Sequence, residues 1–368
     1  MQPWYVIENE AEIPSPALLV YPARIRRNLT QMIQWGGGAA RLRPHVKTHK
    51  LPQIVQMKLS VGIEKFKAST IAEAEMTAAA GGKDILLAYP TVGPNVGRLC
   101  RLAKMFPETR FSTIADEASA ITHLAAAAHE QHLTIPVYLD LDVGMHRTGI
   151  ALGAAAIHLY QQIVELPGIE PAGIHAYDGH LHHADEGELR RMHSETFSPV
   201  WDLISVLRGL GFPVPALIAG GTPTSGFFAA DLAVEVGAGT SVLWDSGQNF
   251  LAPNERFEPA AILLARVVSR PAEDLLCIDL GHKAVASEMP HPRVQLQGLE
   301  EATATLHSEE HLVVRTSQAS RFQVGSVLYG IPRHICPTVA LHSDVWVVED
   351  GIATGRWPVV ARTRILSI

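Results

Sequence analysis

From Arg41 onward, short β-prone runs alternate along the chain with longer stretches whose apolar positions recur at helical spacing. The strand candidates are RLRPHVK, EKFKAST, DILLAYP, RFSTIA, PVYLDLD, PAGIHAY, ALIAGG and AVEVGAG. Between most of them lie alanine-rich or amphipathic segments such as TIAEAEMTAAAGG and DEASAITHLAAAAHEQH, with glycine near some ends. Strands separated by helices imply parallel pairing. Eight such units predict an α/β fold with a closed, TIM-like (β/α)8 barrel, placed over residues 16–256.

After about Phe257 the pattern changes to LLCIDLG, RVQLQGL, HLVVRT, SVLYGI, DVWVVE and VVARTRIL, with short turns and few helical stretches. This predicts a second, mainly-β domain over 257–368, joined by residues 1–15. The early run PALLVYP either pairs with that domain or leads into the barrel. With 47% hydrophobic and 18% charged residues and no low-complexity tract, the chain is compact rather than disordered. Its longest apolar runs are too short to span a bilayer, and its start lacks a basic segment followed by an apolar one, so a cytoplasmic location is expected. Cys100, Cys277 and Cys336 are too few for a disulfide framework, and Cys100 and Cys277 read as buried small hydrophobes. A net charge of −7 with scattered lysines gives no broad basic face for nucleic acid.

Against that acidic background, RLRPHVKTHK concentrates Arg41, Arg43, Lys47 and Lys50 with His45 and His49 at the end of the first strand. Chemistry in such a barrel sits on the loops after the strands, and other reactive residues fall at the same kind of position. One strand ends on DVGMHRTG with Asp142, His146 and Arg147, the sixth on HAYDGHLHH, the seventh on GGTPTSG and the eighth on GAGT. The glycine-rich turns at Gly220-Gly221-Thr222 and Gly237 to Thr240 can present backbone N–H groups and hydroxyls to a phosphate, although either could be a plain tight turn. Lys47, partly desolvated and crowded by the other basic residues, should have a lowered pKa and form imines readily, unless the stretch is only a solvated basic loop. A phosphate cradle and an imine-forming lysine in one barrel mouth suggest pyridoxal phosphate.

Together RPHVKTHK, KASTIAEAE, AGGKDILLAYP, DVGMHRTG, YDGH, GGTPT, DLGHKAVASE, SEEH and PRHICPTV resemble the D-threonine aldolase and D-serine dehydratase family of pyridoxal phosphate enzymes, which share the alanine-racemase-type barrel. The resemblance runs in order over nearly the whole chain. It implies that Lys47 carries the cofactor, with Arg147, Tyr177, Gly220, Gly221, Thr222, Gly239 and Thr240 as cofactor contacts and Arg147 facing the ring or the substrate carboxylate. It implies that His334 and Cys336 hold a divalent metal such as Mn²⁺, Zn²⁺ or Mg²⁺. In an extended segment, residues two apart project to one side, so the imidazole and thiolate could share an ion and leave open positions for water or substrate. His180 resembles the base toward the substrate hydroxyl. His175, His182 and His183 compete for that role, and a buried His180 bonded to Asp178 is the structural alternative. Ser241 stands where the family often has a tyrosine. Asp279 and His282 either approach the metal or form a β-turn, and SEEH reads as a polar loop at a dimer edge.

The activity these residues imply is metal-assisted lysis of a D-β-hydroxy amino acid, foremost retro-aldol cleavage of D-threonine-like substrates to glycine and an aldehyde. D-serine dehydration, with Lys47 taking the α-proton, is the alternative. YDGH favours the aldolase by supplying a histidine beyond the lysine and the metal pair, whereas Cys336 is also the ligand type of dehydratases. A racemase would give His334 and Cys336 no work, and a non-catalytic cofactor carrier would not need the long β domain. The resemblance also implies a homodimer acting on a small-molecule substrate, with no nucleic-acid or membrane partner.

Overall fold

The computed structural model describes residues 2–228, 233–251 and 257–368, of which 249–251 as backbone only. The expected boundary at 256/257 borders residues 252–256, which lie outside the described residues. By compactness the chain divides into two units. One comprises residues 32–47, 52–239 and 363–368, the other residues 1–31, 48–51 and 240–362.

The first unit is the expected barrel. Lys65–Ala68, Asp84–Leu87, Arg110–Ala115, Ile135–Asp142, Ile169–Ala176, Leu217–Ala219 and Val234–Val236 pair in parallel in that order. The segment 42–45 joins both edges through parallel bridges, Leu42 to Val236 and His45 to Lys67. Backbone bonds from Arg43 N to Val236 O (2.9 Å) and Lys67 N to Pro44 O (3.1 Å) complete the ring. Seven of the eight expected strands form, and the first, RLRPHVK, is instead a segment that bridges to both edges at Leu42 and His45. Helices Pro52–Leu59, Ile71–Ala79, Pro94–Met105, Ala118–Glu130, Ala154–Glu165 and Glu186–Gly209 connect them. Thr70 starts one of these by accepting a bond from Glu73 N, and Glu73 returns a bond to Ser69 N at 2.6 Å, a reciprocal cap.

Two local features set what the barrel presents inside. Arg43, 1% exposed, donates to Asp84 (2.7 and 3.0 Å) and Glu235 (2.6 Å), tying three strands together. At Gly173 (φ +126°) the strand Ile169–Ala176 bulges against its neighbour, with the register shift falling between Val137 and Tyr138. A Cβ at Gly173 would lie 2.0 Å from Ala216 O, so only glycine fits. The bulge resets the pairing so that Asp140 lies opposite His175.

The second unit is strand-rich. Its sheet runs in the order Thr303–His307, Leu312–Arg315, Leu275–Ile278, Ala261–Ala272, Ala17–Val20, Asp344–Glu349, Ile352–Pro358, and Val327–Pro332 pairs with Ala261–Ala272 and Val294–Leu296. PALLVYP thus belongs to this sheet, with Ala17–Val20 antiparallel to Ala261–Leu264 and packed in a core of Ile13, Leu19, Tyr21, Ile262, Leu264 and Tyr329. The expected strand VVARTRIL is instead a short 3-10 turn at Val360–Arg362, and the preceding Ile352–Pro358 supplies the edge strand. No helix among the described residues is long and apolar enough to cross a membrane.

Candidate active site

The barrel unit gathers cations around one aromatic ring. Lys47 lies in a short helical turn, Val46–Thr48, directly after the strand segment 42–45, and its side chain is half-buried. Tyr177 follows the strand Ile169–Ala176. Lys47 Nζ is 6.0 Å, Lys67 Nζ 5.4 Å and Arg147 Cζ 5.2 Å from the Tyr177 ring centroid, within range of cation–π attraction.

Arg41 and Arg43, the arginines expected beside Lys47, have partners of their own. Arg41 spends its guanidinium on the carbonyls of Gly36, Val234 and Phe228. Arg43 is neutralised by Asp84 and Glu235. Both lie on a strand whose charges are used to close the barrel. Lys67 has its pKa brought down to about 7 by burial and then by the charge of Lys47. Sequence reasoning passed over it, although a lysine at an inward position of a central strand is itself a signal.

Lys67 Nζ is 3.1 Å from His175 Nε2, and His175 Nδ1 is 2.6 Å from Asp140 Oδ1. His175 is therefore engaged. Burial, followed by the Lys67 charge, lowers its pKa and keeps the ring neutral. His182 and His183 are exposed, and His183 Nδ1 accepts the Asp185 N–H at 3.0 Å. His180 is half-buried, its Nδ1 buried without a hydrogen-bond partner, and its Nε2 lies 3.0 Å from where a Cβ on Gly144 would stand. The alternative of a His180–Asp178 bond is not realised. Asp178 accepts from Gly221 N (2.7 Å) and Thr224 Oγ1 (2.6 Å), which oppose the upward push that burial gives its carboxyl.

Of the glycine turns, Gly220 sits at φ +80°, and the Gly221 N–H is occupied by Asp178. Thr222 lies half-buried in the turn that follows. Gly239 is buried at the end of the eighth turn in the barrel unit.

The strand-rich unit holds the second cluster. Thr240 opens a 3-10 turn, Thr240–Val242, in which the Ser241 hydroxyl is buried without a partner. His334 and Cys336 do not lie in an extended segment as expected. Only His334 is extended (φ −134°, ψ 104°), as the N-cap of a helix over Ile335–Leu341 that contains Cys336. Pro337 is tolerated because it falls in the first turn, where N–H groups lack helical partners. Asp245 fixes this start by accepting the Ile335 N–H at 2.9 Å, and burial raises its carboxyl to about 6.

The two side chains still meet. Burial alone would lower the His334 pKa, but a hydrogen bond to Cys336 and its charge, with Glu288 and Asp245, raise it to about 9. Glu288 Oε1 takes His334 Nδ1 at 2.5 Å, which leaves Nε2 as the ring's ligand atom, a carboxylate–imidazole arrangement common at metals. Cys336 Sγ lies 3.3 Å from Thr48 Oγ1 and 3.7 Å from Thr240 Oγ1. No group of three or more His, Cys, Asp and Glu that could hold a metal ion converges among the described residues. Glu288 ends the motif DLGHKAVASE. Asp279 of that motif is consumed by Arg266 N (2.6 Å) and Ser15 Oγ (2.5 Å), and His282 packs on His307 with ring centroids 6.1 Å apart. SEEH is the turn between Thr303–His307 and Leu312–Arg315, where Glu309 and Glu310 pair with Lys283.

The comparisons agree with this architecture. Residues 20–241 match the alanine racemase N-terminal domain and residues 260–348 the putative serine dehydratase domain. The chain is 31% identical over 96% of its length to a D-threonine aldolase of Arthrobacter, covering 93% of that protein. It is 26% identical over 89% of its length to a D-threo-3-hydroxyaspartate dehydratase of Delftia, covering 92% of that protein. The crystal structure of D-threonine aldolase from Filomicrobium marinum superposes with a TM-score of 0.88 at 25% identity, covering 96% of each chain. By sequence along its whole length and by fold, the chain belongs to the alanine-racemase-type lyase family of D-threonine aldolases and D-serine dehydratases.

Proposed function

We propose that the protein is a pyridoxal phosphate- and divalent-metal-dependent lyase that cleaves D-threonine-like β-hydroxy amino acids to glycine and an aldehyde. The observation that carries this reading is the half-buried Lys47 amine over the Tyr177 ring, with a half-buried histidine, His180, on the same strand end. The residues present fit the cofactor. An amine sits over an aromatic floor within the barrel unit. They also fit a cation, because a thiol and an imidazole nitrogen are available and the imidazole's other nitrogen is held by Glu288.

When bound, pyridoxal phosphate supplies an electron sink at Cα and the divalent cation a Lewis acid at the β-hydroxyl. Lys47 would hold the cofactor covalently. Tyr177 stacks, Gly220, Gly221, Thr222, Gly239 and Thr240 line the phosphate, and Arg147, exposed beside the Tyr177 ring, receives the substrate carboxylate. His180 takes the β-hydroxyl proton on its unpartnered Nδ1, and the Cα–Cβ bond breaks. His334 and Cys336 hold the cation.

Dehydration is the second reading. What favours it is the location of His334 and Cys336 inside the segment that matches the serine dehydratase domain. There Lys47 takes the α-proton and hydroxide departs. Supplying the loaded enzyme with D-threonine and with D-serine separates the two. Acetaldehyde with glycine is the expected outcome, 2-oxobutanoate or pyruvate would establish elimination, and no turnover of either with Mn²⁺ or Zn²⁺ present would reject the substrate class.

A further inference from the structure

We propose that Lys67, oriented by His175 and Asp140, is a second carbonyl-condensing amine of this barrel and binds a small aldehyde covalently as an imine. The three side chains form a nucleophile–base–orienter chain, with 3.1 Å from Lys67 Nζ to His175 Nε2 and 2.6 Å from His175 Nδ1 to Asp140 Oδ1. Thr148 Oγ1 donates to Asp140 Oδ2 at 2.8 Å and holds the carboxylate. Because Asp140 takes the Nδ1–H, Nε2 of a neutral His175 is an acceptor, and Lys67 must donate to it.

The protonation state of Lys67 follows from this accounting. Lys67 is 2% exposed, and His175 is its one hydrogen-bond partner among the described residues. An ammonium there would leave two buried N–H donors unmet, whereas a neutral amine satisfies His175 and keeps a lone pair in hand. The charges facing it are Lys47 and Arg43 from the first strand and Asp140 and Asp178 from the fifth and sixth. Arg43 is already paired with Asp84 and Glu235, and Asp178 with Gly221 and Thr224. A pKa brought down to about 7 is consistent with the neutral amine.

The space around Nζ limits what can reach it. On one side is the Tyr177 ring, and on another is Gly237, where a Cβ would lie 2.9 Å from Nζ. With Lys67 2% exposed, only a small carbonyl compound, such as a short aliphatic aldehyde, is a candidate to reach it. The Lys67 lone pair attacks the carbonyl carbon, and the carbonyl π pair moves to oxygen. His175 Nε2 takes the proton released from nitrogen, its imidazolium stabilised by Asp140. His175 returns that proton to the alkoxide, giving the carbinolamine, and then passes the second nitrogen proton to its hydroxyl, which leaves as water as the C=N bond forms. No oxidant or further reactant is needed.

This inference is independent of the assignment of Lys47, and one experiment keeps the two apart. The protein loaded with pyridoxal phosphate is incubated at pH 7 with acetaldehyde and cyanoborohydride, and N-ethyl lysines are located by peptide mass mapping. At that pH an amine with a pKa near 7 has about a thousandfold more neutral form than an ordinary lysine. Lys67 is expected to be ethylated at least tenfold faster than the exposed Lys83 and Lys104, and His175→Gln and Asp140→Asn are expected to reduce the Lys67 rate at least tenfold. Lys58, whose pKa is also lowered to about 7 and which lies on the helix Pro52–Leu59, is expected to stay unmodified. An unmodified Lys67 beside ethylated Lys83 and Lys104 overturns the proposal, as does a rate unchanged in both variants. If neither variant folds, the ranking of lysines in the parent protein decides.

Discussion

Lys58, fully buried on the helix Pro52–Leu59, destabilises the folded protein increasingly as the pH falls. Burial lowers its pKa to about 7, against about 10.4 in an unfolded chain. The unfolded state therefore binds the proton more tightly between those values, so the cost is complete below pH 7 and disappears as the pH rises toward 10. Replacing Lys58 with Met should raise Tm at pH 6 by several degrees and much less at pH 10, as thermal melts at the two pH values would record; equal shifts would contradict the burial argument. Residue by residue, what could be read in advance was identity rather than environment. Lys47, His180, His334 and Cys336 stand out because their motifs are written in consecutive residues. Lys67, Asp245 and Glu288 do not, because each acquires its meaning from a partner far along the chain, namely His175, Ile335 and His334.

Among the elements, the strand Ile169–Ala176 shows how a backbone irregularity places chemistry. Its bulge at Gly173 aligns His175 with Asp140, and the glycine is required by both its φ of +126° and its contact with Ala216 O. Gly173→Ala should cost at least about 1–3 kcal/mol from the backbone conformation alone, with more from the overlap, and should lower the denaturation midpoint. An unchanged midpoint would mean that the strand pairs without the bulge. Arg43 makes a different kind of claim. Removing it leaves the carboxylates of Asp84 and Glu235, each less than about a quarter exposed, facing one another without their shared cation. Arg43→Leu should destabilise the barrel by roughly 3–5 kcal/mol, measured by urea unfolding, and a loss below about 1 kcal/mol would show the ion pairs to be dispensable. Alternating strands and helices were legible because period 2 and period 3.6 are local properties. The helix over Ile335–Leu341 was not, because its start depends on Asp245, ninety positions earlier, as N–H acceptor.

For the molecule as a whole, the succession of parallel barrel strands followed by a strand-rich unit was visible in the sequence, and the comparisons place the chain in its family on the same span. What the sequence hid was the division of labour in RLRPHVKTHK. Two of its arginines serve barrel closure, and Lys47 alone of the strand's long basic side chains lies over the Tyr177 ring. On the proposed function, turnover depends on the cation at His334 and Cys336. Chelation, or Cys336→Ala, should lower kcat at least a hundredfold while leaving the visible absorbance of the bound cofactor in place, and turnover that survives complete metal removal would dismiss the metal's role. The central claim is the covalent attachment at Lys47. It is tested by reducing the protein loaded with pyridoxal phosphate with borohydride and mapping the pyridoxyl group by peptide mass spectrometry. The label should fall on Lys47; a protein without the label, or one carrying it only on another lysine, would contradict the account.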